Sequence, residues 1–306
     1  MDTCEPQSRP DSQTANPPPP FVNSAAVRRF LIFAVLLAAS FLGPFRGLVR
    51  FALDEDLFSY VLLVPFISLY LAWVRREGLA RAPAGARWPA VITAAAGLGL
   101  LAAAWRGGEA LAPATLLAAQ MLSFCCLLWS GGFALLGSRT MRALAFPALF
   151  LVFMAPIPPS IVGMLETGLQ HASADLSYRL IVLAGIPVFR SGVDFHMPGI
   201  AFSIAQECSG IRSTLVLFMC SLVAGHLFLR TAWRRWVFAL LVIPLGIARN
   251  AVRILTLAWL CVRVDPSYIH SPLHRSGGPL FFALSLIPFG LVLLWFWHAE
   301  RKSRRE

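Results

Sequence analysis

An all-α, polytopic bundle of about eight transmembrane helices is the fold class this sequence predicts, and three observations carry it. Of 306 residues, 58% are hydrophobic and 13% charged, with a mean hydropathy of +0.70. A soluble domain of that length cannot bury so much apolar surface. Apolar runs long enough to cross a bilayer as helices recur along the chain. Arginines crowd every second connection between those runs, the pattern of a positive-inside topology. The formal charge of +11 therefore reads as a topology signal, and no nucleic-acid partner is expected.

Taken in order, residues 1–27 are polar, contain "NPPPP", and predict a disordered cytoplasmic tail. A transmembrane domain follows over 28–298, and a basic cytoplasmic tail over 299–306. Arg28 and Arg29 precede the first apolar run as in a signal peptide, but the further spans make it an uncleaved anchor. Spans are expected near 30–47, 57–74, 89–105, 112–136, 141–157, 210–229, 236–260 and 279–298. The Arg-rich ends and connections hold Arg28 and Arg29; Arg75, Arg76, Arg81 and Arg87; Arg139 and Arg142; Arg230, Arg234 and Arg235; and finally Arg301, Lys302, Arg304 and Arg305. The other connections carry fewer cations. Both termini are thus expected in the cytoplasm, with eight crossings. The fifth span, short and ending in "APIPPS", is the weakest element.

The long non-cytoplasmic segment 158–209 carries the next two elements. Glu166, His171, Asp175 and Arg179 among apolar residues over 160–185 predict an amphipathic helix on the outer surface. In "IPVFRSGVDFHMPGIAFSIAQE", Gly192 and Asp194 mark one turn and Pro198 and Gly199 another. Short β-prone runs between them predict a small hairpin.

Three polar constellations face that same compartment. In "AQECSGIRST", Cys208 stands just before span six, with Ser209 and Gly210 opening the helix. A thiol there feels unpaired backbone N–H groups and the positive dipole end, which favour thiolate, and Arg212 adds to that. The plain alternative is an inert, buried cysteine. Inside span seven, "IARNAVRI" holds Arg249, Asn250 and Arg253. Ionisable residues within a span line a cavity or pair off. Counting from Trp236, Arg253 lies ~25 Å up the axis, near the level of Cys208; Arg249 is one turn deeper. Pro244 and Gly246 below are expected to open the helix. Before span eight, "HSPLHRSGG" supplies His270 and His274 as proton carriers; the alternative is a loop histidine at the surface. A thiol, a guanidinium and an imidazole at one level suit nucleophilic acyl transfer. The six cysteines show no CxxC or zinc spacing, so no metal and no cofactor is expected.

"ECSGIRS" (207–213), "NAVRI" (250–254) and "HRSGG" (274–278), in that order, resemble the exosortase/archaeosortase family of membrane transpeptidases, here of the bacterial exosortase type. "DLFSYVLLVPFISLYLAW" (56–73) and "GIPVFRSG" (185–192) are also similar to family blocks. The resemblance implies a cysteine-dependent thiol protease of protein sorting. Its partners are exported proteins whose C-terminal signal has a short motif, often Pro-Glu-Pro, a transmembrane helix and a basic tail. It implies Cys208 as nucleophile, Arg253 as charged stabiliser and His274 as proton carrier, with Ser209, Gly210, Arg212, Asn250 and Arg249 in support. One departure stands out: Ser59 and Tyr60 occupy the stretch after Asp56 where family members often carry a histidine. Two readings from other classes compete. A transporter or channel with an Arg-lined path, or a non-catalytic scaffold for envelope assembly, would each work without Cys208.

Overall fold

The computed structural model describes residues 24–75, 86–204, 209–270 and 278–302. Its helices run in the order α1 Ser24–Ser40, α2 Leu42–Asp54, α3 Val64–Val74, α4 Arg87–Gly107, α5 Pro113–Leu135, α6 Gly137–Ala143, α7 Ala145–Phe150 and α8 Pro159–Leu183. Three strands follow, β1 Phe189–Ser191, β2 Asp194–Met197 and β3 Ile200–Ser203. The chain continues with α9 Ile211–Phe228, α10 Ala232–Leu240, α11 Val242–Arg263 and α12 Gly278–Lys302. The 3₁₀ segment Asp56–Leu63 leads into α3, and Leu151–Met154 follows α7.

Among the described residues, six helical segments are long and apolar enough to cross a membrane, and eight if each of two bent pairs is one span. That matches the expected bundle. The outward side chains are what hydrocarbon wants: Val91, Ile92 and Leu98 on α4, and Leu284, Ile287 and Leu291 on α12, are exposed. Trp88 and Trp105 near the two ends of α4 are 79% and 88% exposed. Seventeen residues apart, they stand ~25 Å from each other along the helix, the separation of two interfacial aromatic belts.

One bent pair falls in the first expected span and the other at the fifth, which the sequence marks as the weakest. The first breaks at Phe41, where α1 and α2 meet at 66°. Phe41 is buried there with Phe124 and Leu48, so the break turns a large ring into the core. The expected fifth span, 141–157, is divided among α6, α7 and a 3₁₀ turn. That turn meets α8 at 93°. Pro156, Pro158 and Pro159 explain the corner: they lack the N–H groups a continuing helix needs, and Pro159 starts α8 instead.

Close approach holds the bundle together. Between α4 and α5, Ser123 Oγ donates to the Gly97 carbonyl at 2.7 Å and Ser130 Oγ to the Ala90 carbonyl at 2.8 Å. A side chain on Gly97 would lie 2.9 Å from Leu127 Cγ. Small residues let membrane helices reach this distance, where packing and interhelical hydrogen bonds replace the hydrophobic drive.

Helix α8 occupies the place expected for an amphipathic helix, but its polarity is reversed relative to a helix floating on water. Its buried stripe is Gln170, Ser173, Ala174, Ser177 and Ile181, while Met164, Val182 and Leu183 are exposed. The small polar face is the packing face, set against α11. The predicted hairpin is an antiparallel three-strand meander in the order β1-β2-β3. Asp194 pairs with Ser191 as the first residue of β2 rather than sitting in the turn. Left-handed Gly192 and Gly199 (φ 62° and 81°) make the two reversals. Phe195 and Met197 from β2 pack with Ile181 of α8 and with Ile254 and Ala258 of α11. Asp175 on α8 pins the sheet through a 2.5 Å ion pair with Arg190.

Candidate active site

The N-terminus of α9 is built around Gly210. Its φ of +78° is left-handed, conformational space that only glycine enters cheaply. The turn aims its carbonyl into a cluster of donors. Thr214 N–H donates to it at 3.0 Å, the Thr214 hydroxyl at 2.9 Å and the Ser213 hydroxyl at 3.1 Å. Arg249 on α11 reaches across and donates from Nη2 at 3.2 Å. Ser209, 2% exposed, accepts the Ile211 N–H on its hydroxyl at 3.4 Å.

Two contacts bring α11 this close. A side chain on Gly246 would meet Thr214 Oγ1 at 2.5 Å, so the two helices touch there with no Cβ between them. A side chain on Gly210 would lie 3.1 Å from Arg249 Nη2 and 3.7 Å from Asn250 Cγ. Pro244 and Gly246 therefore do not open the helix as expected. The break falls earlier, at Leu241 between α10 and α11. Proline is tolerated in the first turn of α11, and Gly246 serves helix contact instead.

Arg249 and Asn250 are both buried, and Arg253 one turn on from Arg249 is half-buried. Arg249 Nη1 is shielded from solvent without a hydrogen-bond partner among the described residues. Among the described residues this guanidinium keeps a free donor and meets no carboxylate, a condition suited to an anion. Arg212 points elsewhere: it pairs with Asp56, at the start of the segment 56–63, at 3.1 Å. That pair ties the α9 entrance to one of the family-like blocks.

Cys208 and His274, two of the three residues expected to carry the chemistry, lie outside the described residues, as does the adjoining stretch 205–207. The described chain stops at Ile204 and resumes at Ser209 around Cys208, and it stops at His270 and resumes at Gly278 around His274. Two peptide units separate Cys208 from Gly210, so their Cα atoms are at most about 7 Å apart in any conformation. On the upstream side, Gln170 of α8 donates to the Ile204 carbonyl, and the Ile204 N–H donates to the Val193 carbonyl at 3.1 Å. Four residues before Cys208, the chain is thus anchored to α8 and to the sheet. Sequence reading passed over Gln170; the signal was its register with Ser173, Ala174, Ser177 and Ile181, a stripe of small residues that only a packing partner explains.

At the end of α11, Asp265 accepts the Ser267 N–H at 2.7 Å. Hydrogen bonds from the Ser267 side chain and backbone hold its carboxyl below the usual range. This caps the 3₁₀ turn Pro266–His270, which leads toward His274.

The family model for transmembrane exosortases matches residues 49–291. The chain belongs to that family. The match takes in the α9 entrance, Arg249 and Arg253 of α11 and the connection before α12. No curated protein and no solved structure matches the chain. Membership implies a peptidase or transpeptidase in a multi-pass membrane protein.

Proposed function

We propose that this exosortase is a cysteine-dependent sorting transpeptidase that cleaves the C-terminal signal of exported proteins. One observation supports it above the rest: buried Arg249 contacts the very turn that opens α9, two residues from Cys208. A helix N-terminus and a guanidinium thus lie two residues along the chain from Cys208, and both favour thiolate.

In the proposed reaction the Cys208 thiolate attacks the scissile carbonyl carbon. The carbonyl π electrons move to oxygen, and Arg253, with Arg249 behind it, stabilises that oxyanion. Collapse breaks the C–N bond, and His274 as imidazolium gives its proton to the departing amine. The thioester then yields to an acceptor amine or to water, whose proton returns to His274. The substrate lies alongside the enzyme by its own helix, and shared confinement in the bilayer raises the effective concentration of the scissile bond. In this reading both termini are cytoplasmic and the α9 entrance faces outward across a bacterial inner membrane.

The test is co-expression with a reporter ending in a short motif, an apolar helix and a basic tail. The reporter loses its helix and tail with the wild-type chain, and stays full length with Cys208→Ala and with Cys208→Ser. Processing that persists in Cys208→Ala at normal expression overturns the reading in favour of a transporter or scaffold.

A further inference from the structure

An open, apolar groove of about 360 Å³ lies among α1, α3, α5, α6 and α7. Ser68 and Ala72 of α3, Phe124 and Leu128 of α5, Met141 of α6 and Pro147 of α7 line it. Its volume is that of a small-molecule site. It is elongated: Phe124 and Leu136 both line it and stand twelve residues apart, ~18 Å along the α5 direction. That is roughly the depth of one leaflet, half of a ~30 Å hydrocarbon core. The hydroxyl of Ser68 is buried there without a hydrogen-bond partner among the described residues.

Five arginines stand within three residues of groove-lining positions. Arg28 and Arg29 immediately precede Phe30, which lines it; Arg139 and Arg142 flank Met141; and Arg75 follows Ala72 by three residues on the same helical face. All five are exposed. Among the described residues, the carboxylates in ion pairs meet Arg190, Arg212 and Arg234, and none reaches these five. Arg75 is fixed at the mouth by an uncharged partner: its Nη2 lies 3.2 Å from His226 Nε2. A guanidinium can only donate, so the imidazole accepts and stays neutral. The His226 ring is in turn stacked on Phe146, centroids 3.9 Å apart and planes within 4°.

We infer that this groove is a binding site for one anionic phospholipid, one of its two acyl chains between α3 and α5 and its phosphate near Arg75, Arg139 and Arg142. Length, apolar lining and nearby arginines that meet no carboxylate among the described residues together describe that ligand. Basic pockets between transmembrane helices take anionic head groups in this way. A helix ending in a basic tail would meet like charge at this rim, so the substrate of the proposed reaction belongs elsewhere.

Native mass spectrometry on the purified full chain tests the site. The probes are phosphatidylglycerol and phosphatidylcholine with identical acyl chains. Phosphatidylglycerol is expected to be retained in a single tight step, at least tenfold more tightly than phosphatidylcholine. A combined Arg75→Gln, Arg139→Gln, Arg142→Gln variant is expected to weaken phosphatidylglycerol by roughly a hundredfold and leave phosphatidylcholine unchanged. Ala72→Trp, which fills the groove but keeps every arginine, removes the tight step; Ser68→Leu is the milder second filler should Ala72→Trp fold poorly. Equal affinity for the two lipids overturns the site. So does a tight step that survives both fillers, because charge alone would then be drawing lipid to the rim. Neither readout uses processing, so the site stands or falls apart from the proposed reaction.

Discussion

Replacing Gly210 by alanine probes the candidate site at the point where backbone and charge meet. Two costs add. At φ +78° a side chain strains the backbone by about 1 kcal/mol. The new Cβ also lies 3.1 Å from Arg249 Nη2, tighter than an ordinary contact. Arg249 must then withdraw from the Gly210 carbonyl, giving up a charged hydrogen bond of about 1.5–3 kcal/mol. The sum is about 2–4 kcal/mol, concentrated at the α9 entrance. If Arg249 helps hold the developing oxyanion, its displacement lowers the processing rate roughly a hundredfold. Gly192→Ala is the matched control, since φ is also left-handed there (62°) but nothing lies within 4 Å of the added methyl. It is expected to cost about 1 kcal/mol with processing unchanged. The assay pairs thermal midpoints in detergent with time courses of reporter cleavage in membranes. A Gly210→Ala enzyme that melts and cleaves like wild type would refute the reasoning, because the Gly210–Arg249 contact would then be idle.

Three further outcomes follow from the same geometry. Gly246→Val forces α9 and α11 apart at Thr214 and is expected to destabilise by about 1–3 kcal/mol; adding Thr214→Ala should restore part of that, and strict additivity of the two would show that they do not touch. Gln170→Leu leaves the buried Ile204 carbonyl without its donor, costing about 1–3 kcal/mol, and is expected to lower kcat more than it raises KM for a reporter; a pure KM effect would place Gln170 in substrate binding instead. Arg212→Gln removes an exposed ion pair with Asp56, so stability should change by less than about 1 kcal/mol; an alkaline shift in the pH profile of processing would show that Arg212 acts on the thiol after all.

Much of the architecture was legible because a bilayer writes large signals. Runs of apolar residues gave the helical, membrane-spanning class, and Gly192 and Gly199 marked both reversals of the small sheet. The places where the reading slipped share a cause. The bends at Phe41 and at the Pro156–Pro159 corner depend on which neighbour a ring or an N–H meets, and hydropathy averages over that. Gly246 read as a helix opener because local rules know glycine as a breaker. Its task is steric, and it appears only when Thr214 is placed opposite. Helix α8 carried polar residues that suggested a wet surface, whereas its packing face is formed by the small polar residues Gln170, Ser173 and Ser177.

By itself, then, the sequence determined a membrane-spanning helical protein with a thiol at the mouth of one span and two arginines inside the next. Spacing along a chain fixes the face and the depth of a residue on its own helix. It does not fix which helix stands beside which. Only the tertiary structure decided that Arg249, two helices along from Cys208, reaches the Gly210 carbonyl at 3.2 Å. That contact exists because Gly246 and Gly210 both lack the Cβ that would hold α9 and α11 apart.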